Sequence, residues 1–277
     1  MTTALLCLPT YYTVRDVKNP FMRATDPVDP QRALQQWNAL REAFARAGVA
    51  TVTIEPVEDL EDMVFTANQV FVGSGLLHSR FVVPSRMRYE SREREVPYYV
   101  AWFERRGYDV LDLKLDAGAH EFLEGHGDLI VHPGSPLVWA GHGFRSSEAG
   151  LERFARAMDP EGIRVAPLEL VDPTFYHLDT CFAPLNPDAA LLYPPAFSEE
   201  SLTLLRRSWK RLHEVAQSDA MQFACNGVVA NGFFIASHVS PALEAMLSSE
   251  DLRPSLVDTS EFEKAGGSVF CMKTFVA

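Results

Sequence analysis

Asn68, Glu124, His177, Asn226 and Cys271 recur along this 277-residue chain at intervals that shrink from about 56 to about 45 residues. A thiolate attacks electron-poor carbon, and a neighbouring imidazolium both lowers the thiol pKa and hands a proton to a leaving group. A Cys, a His, a carboxylate and two amides would converge if these points of the repeat meet. Taken singly, each residue also has an ordinary structural explanation. Cys271 sits in an apolar stretch and reads as a small buried hydrophobe, His177 as a hydrogen-bonded core histidine, and Glu124 with Asp128 as caps of the Gly-His-Gly turn between them. The catalytic reading therefore rests on shared phase: equivalent points of a repeat face one axis if the repeats close into a ring.

A competing set lies close by. His120, Glu121, Glu124, His126, Asp128 and His132 bring imidazoles and carboxylates into a short stretch, a donor set suited to a divalent metal. Their spacing matches no H-E-x-x-H helix, and the intervening glycines argue against one continuous ligand-bearing helix. No metal is assigned. No G-x-x-x-x-G-K-[ST] or G-x-G-x-x-G occurs, so no nucleotide loop or other cofactor is implied.

The elements that must position these residues are legible from their punctuation. Asp29-Pro30 caps a helix that carries Leu34, Trp37, Leu40 and Phe44 and stops at Gly48, before a β-branched strand Val49–Ile54. The spacing predicts similar units downstream. Strands Val64–Val72 and Phe81–Val83 precede a helix with Tyr99, Trp102 and Phe103, then the strand Tyr108–Leu113. Leu129–His132 and Leu137–Ala140 precede a Ser147-capped helix and the strand Ile163–Pro167; His177–Leu185 and Ala190–Tyr193 precede a Ser198-capped helix. Asn226–Ala230 and Phe233–Ile235 flank Asn231-Gly232, which suits a type I′ hairpin turn, and Pro241–Leu247 and Leu256–Thr259 follow. A further unit forms if the last strand, Val269–Val276, pairs with the first, Ala4–Leu8. The favoured architecture is α/β, a closed ring of five ββαβ modules; open α/β layering is the alternative.

Composition narrows the partners. Hydrophobic residues make up 47% and charged residues 22%, enough apolar surface for a folded protein, read as one domain over residues 1–277. Against 37 Asp+Glu there are 25 Lys+Arg, and the net charge of -12 repels nucleic acid and anionic bilayers while favouring a small cationic substrate. No apolar run is long enough for a membrane helix and no signal peptide is evident, so a cytoplasmic protein is expected. Cys7, Cys181, Cys225 and Cys271 are too scattered for a disulfide framework or a zinc site. Homo-oligomerisation is left open.

Several segments together carry a family resemblance. Asp62-Met-Val-Phe-Thr-Ala-Asn68, Leu123-Glu-Gly-His-Gly-Asp128, Gly143-Phe-Arg-Ser146, His177-Leu-Asp-Thr-Cys-Phe182 and Lys264-Ala-Gly-Gly-Ser-Val-Phe-Cys-Met272 resemble the guanidino-group-modifying enzymes. These include dimethylarginine dimethylaminohydrolases, arginine deiminases and amidinotransferases. Tyr11-Tyr12, Asn19-Pro-Phe-Met22 and the Thr-Ala-Asn ending look most like the bacterial arginine dihydrolase branch.

The resemblance implies a five-bladed α/β propeller, the pentein fold, with its site on the axis. It makes Cys271 the nucleophile, His177 the general acid and base, and Glu124 a grip on the guanidinium. Asp179, two along a strand from His177, would be a second guanidinium ligand. Arg92 and Arg145 would clamp the α-carboxylate, and Asn19 would touch substrate. Asn226 joins the substrate-binding set by its phase. Asn68 stands where dimethylargininases and deiminases usually carry Asp. His126 stands where a small residue is more usual, which would bring an imidazole to the pocket mouth. The implied chemistry is hydrolysis of a guanidino group through a Cys-thiouronium intermediate, releasing ammonia or a methylamine and leaving ornithine or citrulline. Amidino transfer to an amine is the alternative, and a non-catalytic arginine sensor is the reading from another class.

Overall fold

The computed structural model describes residues 2–23 and 25–276. Local chemistry sets the first long helix, Pro30–Arg46. The Asp29 carboxylate accepts from the Gln31 and Arg32 amides, and Pro30 needs no donor at the first turn. Its buried stripe is Ala33, Gln36, Trp37, Leu40, Ala43 and Phe44. Leu34, expected on that stripe, is 43% exposed instead. The helix is rotated toward Gln36, which is tolerated inside because its amide donates to Ser260 Oγ (2.8 Å) and accepts from the Glu261 N–H (3.0 Å). Four further helices, Val96–Glu104, Glu148–Met158, Glu199–Ser208 and Pro241–Ser249, follow at intervals; Ser147, Ser198 and Ser240 cap the last three.

Fifteen strands are described: β1 Thr3–Cys7, β2 Ala50–Ile54, β3 Val70–Gly73, β4 Phe81–Pro84, β5 Asp109–Val110, β6 Leu129–Val131, β7 Leu137–His142, β8 Arg164–Glu169, β9 Phe182–Asn186, β10 Ala189–Leu192, β11 Arg211–Glu214, β12 Val228–Ala230, β13 Phe233–Ala236, β14 Arg253–Leu256 and β15 Thr274–Val276. They form five three-stranded sheets, β15-β1-β2, β3-β4-β5, β6-β7-β8, β11-β10-β9 and β12-β13-β14. In every sheet an antiparallel pair is followed, after a long helix, by a parallel third strand, which is the ββαβ module. The chain's two ends close the ring: Thr3 pairs with Val276, Ala4 with Phe275 and Leu5 with Thr274. Asn231 and Gly232 both adopt positive φ in the hairpin between β12 and β13, as that turn requires.

The largest departures from the expected elements fall at the leading edge of three modules. Val64–Val72 becomes strand only from Val70, after a 3-10 turn at Glu61–Val64; His177–Leu185 begins with the 3-10 turn Leu178–Thr180; Val269–Val276 is strand only from Thr274. Hydroxyls redirect the backbone here. Thr180 Oγ1 donates to the His177 carbonyl (2.6 Å) and Thr66 Oγ1 to the Leu5 carbonyl (3.1 Å), in place of ladder bonds that β-branched residues would otherwise suit. Asp179 and Cys271 therefore sit in turns, not along strands. Two outer strands also differ: β11, polar and short, had no signal, and β14 lies ahead of the expected Leu256–Thr259.

Apolar side chains gather between neighbouring blades, as around Trp139, Phe182, Trp209 and Phe234, and leave the axis to polar groups. Cys7, Cys181 and Cys225 are buried in these clusters, and burial pushes each thiol far up.

Candidate active site

The strands nearest the axis are β3, β6, β9, β12 and β15, and the five phased residues stand in the turns just ahead of them. Asn226 ties two of these turns together. Its Oδ1 accepts from the Ser268 and Cys271 amides (3.1 and 3.3 Å), while its Nδ2 donates to the Asp179 carbonyl (3.0 Å) and lies 3.2 Å from Cys271 Sγ. Asn226 thus shapes the backbone of the Cys271 turn rather than lining the pocket. The Cys271 thiol donates to Asp179 Oδ2 at 3.1 Å, and Asp179 Oδ1, buried, has no partner.

His177 lies on the other side. Its Nε2 is 2.8 Å from Glu124 Oε2, the same oxygen that accepts from Arg145 Nη1 at 2.9 Å, and the Arg88 N–H donates to Glu124 Oε1. Glu124 is fully buried and behind the pocket wall. Burial pushes its carboxyl up, but the Arg145 charge and the bonds from His177 and Arg88 outweigh burial and hold it well below the usual range. Asp128 braces this side by accepting from the Ser146 hydroxyl (2.6 Å) and the Leu178 amide (3.1 Å), and burial raises its pKa.

Asn19, Asn68, Arg92, Arg145, His177 and Cys271 line one small pocket together with Lys18, Met22, Asp62, Phe65, Tyr176, Ala265 and Gly267. The open volume is about 10 Å³, room for one water at most, so an amino acid fits only if part of the wall moves. Arg145 is stacked between Tyr89 and Tyr176 (4.8 and 4.7 Å to the ring centres) and donates Nη2 to the Lys18 carbonyl. Arg92 donates Nε to Glu95 (3.1 Å) and Nη2 to Asn68 Oδ1 (3.4 Å). The Asn19 amide holds its own turn, accepting from the Phe21 amide and donating to the Ala265 carbonyl.

Sequence reasoning passed over Asp62 and Lys18. Asp62 is buried, receives no hydrogen bond, and is held by Lys18 Nζ 3.0 Å away. The signal was present, since Asp62 opens one of the recognised motifs.

The electrostatics favour a resting thiol. Burial, then the adjacent Asp179 carboxylate, pushes the Cys271 thiol well above its ordinary pKa, and burial raises Asp179 to about 6. A cation entering between them reverses both effects.

A family profile described as N,N dimethylarginine dimethylhydrolase, eukaryotic, matches residues 9–276. The chain belongs to the dimethylarginine dimethylaminohydrolase family. It is 36% identical to the bifunctional arginine dihydrolase/ornithine cyclodeaminase ArgZ of Synechocystis sp., over 97% of this chain and 37% of that one. The N(G),N(G)-dimethylarginine dimethylaminohydrolase of Mycobacterium tuberculosis is 34% identical over 95% of this chain and 82% of its own length. The crystal structure of the N-terminal domain of ArgZ, a cyanobacterial arginine dihydrolase bound to substrate, matches with a TM-score of 0.90 at 33% identity, covering 100% of this chain and 98% of that one. This chain therefore spans little more than a third of full-length ArgZ. Like its relatives in the dimethylarginine dimethylaminohydrolase family, it is a hydrolase of guanidino groups on the pentein propeller fold.

Within this family fold, the histidine-rich stretch disperses. His126, expected at the pocket mouth, points away: its Nε2 accepts from the Val72 N–H (3.0 Å) and its Nδ1 donates to the Leu129 carbonyl (3.0 Å). Burial, then the nearby Lys273 charge, pushes it down to about 3, so it is neutral. His132 accepts from Trp139 Nε1 and donates to the Pro187 carbonyl, and His120 is exposed in a left-handed turn. Among the described residues no three His, Cys, Asp or Glu side chains converge on a metal position, and no helix is long and apolar enough to cross a membrane.

Proposed function

We propose that this family member hydrolyses free arginine to ornithine, ammonia and carbon dioxide through a thiouronium on Cys271. One observation carries the choice of reaction: Asn68 Nδ2 is buried in the pocket wall with no acceptor. An unsatisfied buried donor costs roughly 1–3 kcal/mol. A guanidinium offers it nothing to bond, whereas the ureido oxygen of citrulline does, so the site suits retention of citrulline for a second loss of nitrogen.

In this reading the Lys18–Met22 turn opens and frees Arg145 Nη2 from the Lys18 carbonyl. Arg145 and Arg92 then take the α-carboxylate, and Asp62 takes the α-ammonium. The guanidinium lies against Asp179 Oδ1 with Cζ over Cys271 Sγ. Its charge stabilises the thiolate, and the thiol proton passes to Asp179 Oδ2, to which it already points. The thiolate adds to Cζ, and protonated His177 gives its proton to the departing ammonia. Neutral His177 next accepts a proton from the water that adds to the same carbon, and the C–S bond breaks to return the thiolate. Glu124 keeps His177 oriented throughout. A second attack by the thiolate on the ureido carbon, its oxygen held by Asn68, expels a second ammonia protonated by His177 and leaves a thiocarbamate on Cys271; a second water breaks the C–S bond, and the released carbamate loses carbon dioxide to yield ornithine.

Mass analysis of products from arginine tests the reading. Ornithine is expected, and Asn68→Asp should stall at citrulline with at least a tenfold loss of ornithine formation. Citrulline as the sole stable product of the unaltered enzyme, or a higher kcat/KM for dimethylarginine than for arginine, would overturn it.

A further inference from the structure

The five axial strands run from the catalytic pocket to a second cavity of about 420 Å³ at the opposite end of the axis. Each strand supplies one wall: Val72, Ile130, Ala183, Val228 and Phe275. These walls are hydrocarbon, yet Lys273 opens into them with 4% exposure. Its Nζ lies 3.3 Å from the centre of the Phe270 ring and 5.0 Å from that of Phe275, and both rings also line the cavity. Among the described residues Lys273 has no hydrogen-bond acceptor for Nζ and no ion-pair partner. His126, the other titratable lining residue, has both ring nitrogens bonded to backbone and adds no charge.

An ammonium largely withdrawn from water without an anion is unfavourable, and ring faces offset only part of that. Burial pushes Lys273 down to about 7 even with Asp179 and Cys271 on the far side favouring its charge. A carboxylate would complete the site, and the walls suit an apolar body. We propose that this rear axial cavity binds a small organic carboxylate with a hydrocarbon body, its carboxylate on Lys273 Nζ and its body between Phe270, Phe275 and the strand walls. The cavity shares no lining residue with the catalytic pocket, and its proposed ligand does not rest on the guanidino chemistry, although Lys273 and Asp179 feel each other's charge.

Phenylacetate is a suitable probe, with neutral phenylacetamide as its control, titrated by calorimetry into the intact protein. Saturable phenylacetate binding is expected, at least tenfold tighter than phenylacetamide. Lys273→Met should weaken it at least tenfold and Lys273→Arg should retain it. Arg145→Ala, which alters the catalytic pocket, should leave it unchanged. Absence of saturable binding, equal binding of the amide, survival of binding in Lys273→Met, or its loss in Arg145→Ala would each overturn the proposal. Should circular dichroism show Lys273→Met unfolded, Val229→Trp decides, because it fills the cavity without touching the ammonium: lost binding supports the site and retained binding refutes it.

Discussion

Cys271 shows how a buried thiol can be both protected and ready. Its proton is shared with Asp179, whose carboxyl is held at about 6 by burial, so both groups stay protonated more easily than in water until a cation arrives. The sign of the pH effect follows from that direction. A carboxyl raised by folding favours the native state at low pH, and this contribution fades as pH climbs through about 6. Substrate affinity has the opposite slope, since a guanidinium needs the ionised form. Calorimetry of arginine binding to Cys271→Ser should therefore weaken as pH falls below about 6, approaching tenfold per unit. Asp179→Asn, added to Cys271→Ser, should flatten that limb; an unchanged limb would place the titrating group elsewhere. That Cys271 and His177 line one pocket was legible from residue type and phase. The engagement of Glu124 by Arg145 was not, because it depends on side chains that meet across blades.

At the scale of elements, the short Gly125–Asp128 turn places the most chemistry per residue, and its two glycines do different things. A Cβ on Gly127 would lie 2.3 Å from Asn68 Nδ2 and 3.2 Å from the His177 ring. Gly127→Ala should fold, since the nearest atom belongs to a side chain, but lose roughly tenfold or more in kcat as both groups shift. A Cβ on Gly125 would meet three backbone carbonyl oxygens at 2.6–2.8 Å, and φ there is +50°. Gly125→Ala should cost roughly 2 kcal/mol or more in stability, read as a lower melting temperature. Caps and turns of this local kind were readable: Asp29-Pro30 and Asn231-Gly232 act as their residue types predict. The polar strand β11 was not, because its pairing with β10 comes from the sheet and not from its own alternation.

At the scale of the whole molecule, closure is the decisive event. The first and last strands are neighbours in one sheet, with Thr3 opposite Val276, so β1 lies in the middle of its blade, paired to β15 on one side and to β2 on the other. A circular permutant joining the two ends by a short Gly/Ser linker, with new ends at the exposed Gly118–Ala119 turn, should fold and keep arginine turnover within about threefold. Aggregation or loss of the cooperative melt would show that the ring needs its native order of assembly. The apolar clusters between blades make the same point, since each draws on neighbouring modules and none on one module alone.

From the sequence alone came whatever covalent geometry and short-range hydrogen bonding decide: the capped helices, the Asn-Gly turn, the module period and the five residues at one phase of it. Tertiary structure decided direction and company. It turned His126 away from the pocket, moved Cys271 and Asp179 out of strands into turns, set Asp62 beside Lys18, and left Lys273 facing an apolar cavity. These outcomes depend on burial and on partners from distant modules, and no local pattern encodes which way a side chain faces once the ring has closed.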